Sequence, residues 1–208
     1  MTDTIFSEEI QLQRSDLTTI KDMIPKGARI LDLGCGSGRL LKALKSLKNA
    51  KVMGVEVDEQ KILQCAQRGV PVIQANLDEA LREFSDNSCD YVILSRTIQA
   101  VRHPDTVLSE MLRIGGHGIV SFINFGHVNA RIQILLGNMP VTGNLPLSWY
   151  DTPNIHPATI ADFRDLCKDM GIRISKEIPL SQPEDFLPAL AGVWPNLFAS
   201  NCIFIIEK

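Results

Sequence analysis

The 208-residue sequence lacks several features that define large classes of protein. Its 21 Lys and Arg against 24 Asp and Glu give a net charge of -3, so it has no basic excess of the kind that binds nucleic-acid backbones. No apolar run approaches the ~20 residues needed to span a bilayer, and the first residues lack the basic and apolar regions of a secretory signal. The five cysteines form no C-x-x-C pair, which indicates reduced thiols. We therefore expect a cytoplasmic protein with neither nucleic-acid nor membrane partners.

What the sequence contains is typical of one globular domain. The hydrophobic fraction is 45%, and a chain of this length buries roughly 70% of its unfolded surface. Short runs rich in Val and Ile alternate with segments of helical period, a pattern that favours a parallel sheet with crossover helices. The predicted strands are 28–33, 51–57, 70–75, 89–95 and 117–123, followed by two late strands at 172–178 and 202–206.

Helix signals lie between these runs. Leu40, Leu41, Leu44 and Leu47 form an apolar stripe that is predicted to pack on the sheet. Asp58 and Thr159 each precede a helical segment and are predicted N-caps, and Gly171 is predicted to end the last helix. The stretch from 139 to 157 contains four prolines and the pair Trp149-Tyr150. It predicts a long, irregular and functional loop, since its aromatic residues argue against disorder.

The strongest chemical signal is Ile30-Leu31-Asp32-Leu33-Gly34-Cys35-Gly36-Ser37-Gly38, a predicted strand that ends in an acid and a glycine turn. In an open parallel sheet, ligands bind beyond the carboxyl ends of the strands, where this turn would lie. A dinucleotide fingerprint would require a third glycine at the position of Arg39, and a phosphate loop would require a lysine after Gly36 or Gly38. The spacing therefore weakens both phosphate-binding interpretations.

The string from Asp32 to Gly38 resembles the first motif of class I S-adenosylmethionine (SAM) dependent methyltransferases, whose loop wraps the amino-acid end of SAM. The resemblance implies a Rossmann-like α/β fold, with helices on both faces of a mostly parallel seven-stranded sheet whose last strand is antiparallel. Glu56 matches the acid that binds the ribose, and Asn76 stands where the family usually has an Asp near the adenine. The implied binding residues for SAM or S-adenosylhomocysteine (SAH) are Asp32, Gly34, Cys35, Gly36, Gly38, Glu56, Val57, Asn76, Leu77 and Ser95.

Longer sequence motifs indicate one family within this class of methyltransferases. Asp90-Tyr91-Val92-Ile93-Leu94-Ser95, Ser121-Phe122-x-Asn124-Phe125-Gly126-His127 and Trp149-Tyr150-Asp151-Thr152-Pro153-Asn154-Ile155-His156 resemble the MetW family of bacterial methionine biosynthesis. The resemblance implies a SAM-binding protein that acts with a MetX-type homoserine O-acyltransferase, such as homoserine O-acetyltransferase, to support or regulate the formation of O-acylhomoserine. Because SAM is made from methionine, a SAM site in such a protein is a candidate sensor of pathway output.

An active SAM-dependent methyltransferase acting on a small molecule is the open alternative, because methyl transfer needs little beyond alignment and sometimes a base. Tyr150 and His156 are the candidates for base and orienter. A scaffold that has lost ligand binding is a third hypothesis. No metal site is expected, since no two His lie at i, i+4 and none pairs with Cys at zinc spacing. The predicted substrate or partner residues are Gln99, Asn124, Phe125, Trp149, Tyr150, Asp151, Asn154 and His156.

These features are expected to lie in a single methyltransferase-like domain over residues 1–208. Within it we expect an amino-terminal segment or helix at 1–27 and a SAM-binding core at 28–123. Residues 124–208 are expected to supply the partner or substrate loop and the carboxyl-terminal strands.

Overall fold

The computed structural model describes Leu12, residues 14–182 and residues 185–208, so part of the predicted 1–27 segment, residues 1–11 and 13, lies outside the described residues. All seven predicted strands are confirmed, and the third is shorter than expected. The strands are β1 (Arg29–Leu33), β2 (Lys51–Glu56), β3 (Val72–Gln74), β4 (Cys89–Ser95), β5 (Gly115–Ile123), β6 (Arg173–Leu180) and β7 (Asn201–Glu207).

The strands form one sheet in the order β3-β2-β1-β4-β5-β7-β6. Strands β1 to β5 pair in parallel, whereas β7 runs antiparallel to both of its neighbours, β5 and β6. The predicted fold class, a mostly parallel sheet with an antiparallel last strand, is confirmed. Because the strand order reverses between β1 and β4, a crevice opens beyond their carboxyl ends.

Helices cover both faces of the sheet, as expected. The helices are α1 (Ser15–Met23), α2 (Arg39–Lys48), α3 (Glu59–Gln67), α4 (Leu77–Ala80), α5 (Pro104–Ile114), α6 (Val128–Leu135), α7 (Ile160–Asp169) and α8 (Pro195–Phe198). Successive side chains of a strand point to opposite faces. Ile30 and Ile93 accordingly pack in one buried cluster with residues of α1, α2 and α3, whereas Leu31 and Val92 pack in another with residues of α4, α5 and α7.

The predicted helix boundaries are confirmed at three positions. The Asp58 carboxylate accepts hydrogen bonds from two backbone N–H groups at the start of α3, and Thr159 forms a reciprocal capping box with Asp162 at the start of α7. Gly171, with φ of +68°, follows the end of α7. The prediction for Leu47 was wrong: its side chain is 59% exposed, because the buried residues of α2 all precede Lys45 and its last turn extends past the core.

Between β5 and α7 the chain crosses the carboxyl edge of the sheet. It forms α6 and then continues without helix or strand from 136 to 159, which confirms the predicted irregular segment. The segment is tied to the loop after β4, since the Gln99 carbonyl accepts hydrogen bonds from the N–H groups of Ile155 and His156 at 2.8 and 3.0 Å. In the described part of the chain no helix is long and apolar enough to cross a membrane.

Candidate functional site

Four polar side chains meet where the parallel strands end. Asp32 is the fourth residue of the five in β1, and Glu56 and Ser95 are the last residues of β2 and β4. Ser121 of β5 pairs in register with Ser95, and their hydroxyl oxygens are 3.1 Å apart. All four side chains are buried. The sheet order thus collects residues from distant parts of the sequence into the crevice at the strand reversal.

The glycine loop that follows β1 is fastened to the end of β2. The N–H groups of Gly34 and Cys35 donate to the Val55 carbonyl at 2.8 and 3.0 Å. Gly34 has φ of +73°, and a Cβ there would lie 2.6 Å from the hydroxyl oxygen of Thr97. At Gly36, with φ of +56°, a Cβ would meet no atom within 4 Å. The loop is therefore closed against β2 at Gly34 and open at Gly36.

Glu56, the predicted ribose-binding acid, also organises this loop. Its Oε2 accepts from the Gly36 N–H at 2.8 Å, and its Oε1 accepts from the N–H groups of Val57 and Asp58 at 2.9 and 3.1 Å. A carboxylate has about four acceptor positions, so one is left on Oε2 for a ligand hydroxyl. The structure places the side chain where the sequence predicted it and adds a structural role.

Asp32 is a buried acid whose pKa is strongly raised. Its side chain is 3% exposed, and Oδ1 has no hydrogen-bond partner among the described residues. Burial raises the pKa of Asp32 to about 7, with the charge of Arg14 opposing the shift and that of Glu56 adding to it. A buried carboxylate without a partner is costly, and a cationic ligand group relieves that cost. The orphaned oxygen therefore fits the ammonium group of a SAM-like ligand.

A cavity of about 190 Å³ opens beside Asp32. Opposite charges line it, because Arg14 contributes a guanidinium while Asp32 contributes a carboxylate. This pairing matches an α-amino acid group, which carries one ammonium and one carboxylate. The lining residues are Arg14, Leu17, Asp32, Gly34, Cys35, Gly36, Ser37, Arg39, Leu40 and Ser95.

A buried carboxylate, Asp16, connects this cavity to the strand ends. It accepts hydrogen bonds from Arg14 Nη2 at 2.5 Å, from Ser121 Oγ at 3.0 Å and from Ser95 Oγ at 3.2 Å, and Arg96 Nε lies 3.6 Å away. Burial raises the pKa of Asp16, but the hydrogen bond and charge of Arg14 and the charge of Arg96 outweigh it, so the net pKa is lowered. Asp16 is therefore a stable buried anion.

Sequence reasoning missed Arg14, Asp16 and Arg96. The first two precede the glycine motif without any recognisable spacing to it, and Arg96 directly follows the motif residue Ser95. Its backbone has a positive φ of 54°, which is unusual for a residue other than glycine. The one available signal was an arginine directly after a strand that ends at the predicted ligand crevice.

The predicted adenine end of the site lies at the ends of β2 and β3. Asn76 is exposed and its Oδ1 accepts from the Asp78 N–H at 3.1 Å, which caps α4. Leu77 is buried, whereas Val57 is 63% exposed. The Asn76 oxygen that we expected to meet adenine thus already has one backbone donor, and its ligand role stays a prediction.

Within the glycine loop, the Cys35 sulfur lies 3.9 Å from that of Cys65. Burial, followed by the charge of Asp32, raises the pKa of the Cys35 thiol, and burial raises that of Cys65. Both side chains are therefore neutral thiols near pH 7. No group of three His, Cys, Asp or Glu that could hold a metal ion is found among the described residues.

The eight residues predicted to contact a substrate or a partner fall into two groups. Gln99 and Asn124 are buried and bonded internally: the Gln99 amide pairs with the backbone of Ile123, and Asn124 Nδ2 donates to the Ala199 carbonyl at 2.7 Å. These two hold the segment in place. The remaining predicted residues are half-buried or exposed, namely Phe125, Trp149, Tyr150, Asp151, Asn154 and His156.

Tyr150 and His156 are not joined by a hydrogen bond in the described structure. The Tyr150 ring meets Trp149 edge to face at 5.6 Å, and both are 70% exposed. The His156 Nε2 lies 3.4 Å from the Arg102 carbonyl oxygen. The predicted base-and-orienter pair is therefore not assembled, and a catalytic role for either residue stays a prediction.

Solved structures share this fold over nearly the whole chain. A SAM-dependent methyltransferase from Archaeoglobus fulgidus superposes with a TM-score of 0.71 over 96% of this chain and 94% of that chain, at 16% identity. Another, from Mesorhizobium loti, gives a TM-score of 0.65 over 92% of this chain and 96% of that chain, at 17% identity. The likeness establishes the Rossmann-like fold of the class I methyltransferases.

The family follows from the sequence comparisons. A family model described as "Methionine biosynthesis protein MetW" matches residues 14–206, and the chain belongs to the MetW family. The bifunctional methionine biosynthesis protein MetXA/MetW of Rhodopirellula baltica is 39% identical over 173 residues, which are 78% of this chain and 28% of that protein. Family and relative together associate the chain with methionine biosynthesis.

More distant relatives include a ubiquinone biosynthesis O-methyltransferase from Paracidovorax citrulli. It is 31% identical over 146 residues, which are 65% of this chain and 60% of that protein. The chain thus spans less than two thirds of each of these two relatives. Fold and family do not by themselves assign a reaction.

Proposed function

We propose that the chain binds SAM or SAH in the crevice at the carboxyl ends of β1, β2 and β4. The observation that carries this proposal is the orphaned, buried Oδ1 of Asp32 in a cavity that Arg14 also lines. Asp32 would hold the ammonium group, Arg14 the carboxylate and Glu56 a ribose hydroxyl. When bound, SAM supplies a methyl group on a sulfonium centre, whereas SAH supplies none.

The core at 28–123 would supply most of this site, although Arg14 lies in the preceding segment. The remaining contacts that we propose come from Gly34, Cys35, Gly36, Gly38, Val57, Asn76, Leu77 and Ser95. The adenine end of the site offers a weaker contact, because Asn76 is exposed and uncharged. We therefore expect the amino-acid end to contribute most of the affinity.

Calorimetric titration of the full chain with SAH tests the binding site. Parent protein should bind saturably, and Asp32→Asn should weaken binding at least tenfold, because an ammonium ligand loses its counter-ion. Asp22→Asn is the matched control, since the Asp22 side chain is 65% exposed and lies in α1 away from the cavity lining. Lack of SAH binding by the parent chain would refute the cofactor proposal.

We infer in addition that the chain acts with a MetX-type homoserine O-acyltransferase in the cytoplasm. Support comes from the Rhodopirellula baltica relative, which by its name joins MetXA and MetW in one protein. Two activities fused in one relative favour a physical association of the separate chains. Residues 124–208 offer the surface for it, because Leu135 and Leu136 are 86% and 72% exposed and Trp149 is 70% exposed.

The rate of homoserine acylation by the acyltransferase of the same organism tests this role. It is measured with and without the chain, each with and without SAM. A rate that rises with the chain and changes with SAM supports a regulatory subunit, which requires that SAM bind the active and inactive complexes with different affinity. No change in any of the four conditions would exclude the association with that enzyme.

A SAM-dependent methyltransferase acting on a small molecule is the second candidate. A cavity of about 410 Å³ favours it, because Arg96 and Ile123, at the ends of β4 and β5, line a space directly beside the proposed cofactor crevice. Formation of SAH from SAM in the presence of cell extract, lost in the Asp32→Asn variant and kept in Asp22→Asn, would support this activity. Absence of SAH formation together with an effect on the acyltransferase would leave the regulatory role.

A further inference from the structure

The cavity beside the cofactor crevice lies under the irregular segment between α6 and α7. Its volume of about 410 Å³ is enough for a small organic ligand. Apolar side chains and prolines supply most of its wall, and its one ionisable lining residue is Arg96. Besides Arg96, the lining residues include Phe125, Asn144, Leu145, Leu147 and Trp149.

Arg96 is placed here by the chain reversal after β4. Its side chain is 18% exposed, and its Nη2 donates to Asn144 Oδ1 at 3.3 Å. This is the one hydrogen bond that its guanidinium makes within the described part of the chain, and the buried Nε has none. An arginine carries five N–H donors, so most of the donor capacity of Arg96 is unused.

The charge of Arg96 is only partly balanced. Among the described residues the acid paired with Arg96 is Asp16, which is shared with Arg14. Arg14 holds it by two hydrogen bonds of 2.5 and 3.1 Å, whereas the contact with Arg96 is an ion pair of 3.6 Å without a hydrogen bond. Two guanidiniums therefore share one carboxylate. The charge of Arg96 is thus only partly balanced within the described part of the chain, and it faces an apolar cavity in which few donors or acceptors screen it.

We propose that this cavity binds a small molecule that carries a carboxylate on an apolar chain, with the carboxylate on Arg96 and the chain against Phe125, Leu145 and Leu147. A guanidinium fork matches a carboxylate in geometry, and the single charge of Arg96 is complementary to that of one carboxylate. A phosphate would bring a second negative charge for which the lining has no further cation. The site is separate from the proposed SAM site, and its ligand is either a substrate or an effector of the protein.

The two tryptophans of the chain allow a direct binding experiment. Trp149 lines the cavity, whereas Trp194 lies elsewhere and stacks on Phe198. A Trp194→Phe variant keeps an aromatic ring at that position and leaves Trp149 as the only tryptophan. Its fluorescence is followed during titration with hexanoate and with hexanamide, which has the same chain and no charge, in buffer without SAM.

Hexanoate is expected to change the Trp149 fluorescence saturably, with a Kd at least tenfold lower than that of hexanamide. Equal affinity for the two compounds, or no saturable change with hexanoate, would overturn the proposal. Because neither SAM nor a partner is present, the outcome is independent of the proposed function. A protein that fails to bind SAH can still bind hexanoate, and the reverse also holds.

Arg96→Gln in the same background should abolish the preference for hexanoate. Arg102→Gln is the matched control, because it removes the same charge from an exposed position outside the cavity lining and should keep the preference. Circular dichroism confirms that each variant is folded. A folded Arg96→Gln protein that still prefers hexanoate tenfold would contradict the proposal, and if this variant does not fold, the comparison of the two ligands on the parent background decides.

Discussion

The glycine loop and the segment between β5 and α7 lie at the same edge of the sheet but are built differently. The loop spans a few residues and is fixed by backbone hydrogen bonds to the next strand, from Gly34 and Cys35 to Val55. The segment is fixed by buried side chains that reach distant parts of the sequence, as Asn124 reaches the Ala199 carbonyl. The loop presents a polar cavity, whereas the segment presents an apolar cavity and exposed apolar side chains.

The two kinds of construction suit two different roles, ligand binding at the glycine loop and partner binding at the segment. Short backbone bonds hold the loop rigid, which suits the small charged ligand that we propose there, because a preorganised site loses less entropy on binding. The segment leaves Leu135, Leu136 and Trp149 exposed, and an apolar surface of this kind suits a partner. Asp16 connects the two regions, because Arg14 lines the polar cavity and Arg96 lines the apolar one.

Asp16→Asn breaks the connection and should have the largest effect on stability. The variant leaves two guanidiniums without their common counter-ion, and loss of one member of a buried ion pair costs roughly 3 kcal/mol or more. Urea denaturation at pH 7 measures the loss. Asp22→Asn, at a side chain that is 65% exposed, should stay within about 0.5 kcal/mol of the parent.

The difference in stability between the parent and Asp16→Asn should depend on pH. The pKa of Asp16 is lowered in the folded chain, so its stabilising contribution is present above the ordinary aspartate pKa near ~4 and is lost as the pH falls through the lower folded value. The stability difference between parent and Asp16→Asn should therefore narrow as the pH falls below about 4. A difference that stays constant from pH 7 to pH 3 would show that the carboxylate charge is not its source.

Gly34→Ala and Gly36→Ala distinguish the closed side of the glycine loop from its open side. Both glycines have positive φ, but only at Gly34 would the added methyl group meet a neighbour, the Thr97 side chain at 2.6 Å. We expect Gly34→Ala to lose roughly 3 kcal/mol and Gly36→Ala roughly 1 kcal/mol by chemical denaturation. Equal losses would indicate that Thr97 moves aside and that backbone strain alone matters.

Asp32→Asn should stabilise the protein at alkaline pH. The pKa of Asp32 is raised to about 7, so its contribution to stability is complete below the ordinary value near ~4 and is lost as the pH rises through about 7. The parent should therefore lose stability between pH 5 and pH 8, whereas the variant should not, and at pH 8 the variant should be more stable by roughly 2 kcal/mol. Thermal denaturation across this range provides the measurement.

The affinity for SAH should depend on the same ionisation. The charged carboxylate binds an ammonium group, so affinity should rise from pH 6 to pH 8 in the parent and stay flat in Asp32→Asn. An equally steep profile in both proteins would assign the titration to another group. Stability and binding would then change in opposite directions at this residue, as functional sites often require.

Leu135→Ser and Leu47→Ser should have the smallest effect on stability, within about 0.5 kcal/mol for each. Leu135 is 86% exposed in α6 and Leu47 is 59% exposed in α2. If residues 124–208 meet the acyltransferase, Leu135→Ser should weaken binding to it about tenfold while Leu47→Ser leaves it unchanged. Equal affinity of the two variants for the acyltransferase would show that it does not bind at α6.

Residue patterns in the sequence predict much of the fold. The seven strands and the caps at Asp58 and Thr159 are marked by patterns of residues that lie close together in the sequence, and the structure confirms them. The exposure of Leu47 could not be predicted, because helical periodicity does not show how many turns of α2 the sheet covers. The same limit applies to Gln99 and Asn124, whose internal bonds depend on partners far away in the sequence.

The order of elements and the glycine loop were predictable from the chain alone, because the patterns that mark a strand, a turn and a helix start involve residues a few positions apart. Only folding brings Asp16 between Arg14 and Arg96. Folding likewise buries an oxygen of Asp32 without a hydrogen-bond partner among the described residues. Burial and charge balance are set by which strand ends the sheet brings together, and contacts between residues up to 105 positions apart, such as Asp16 and Ser121, leave no local pattern to read.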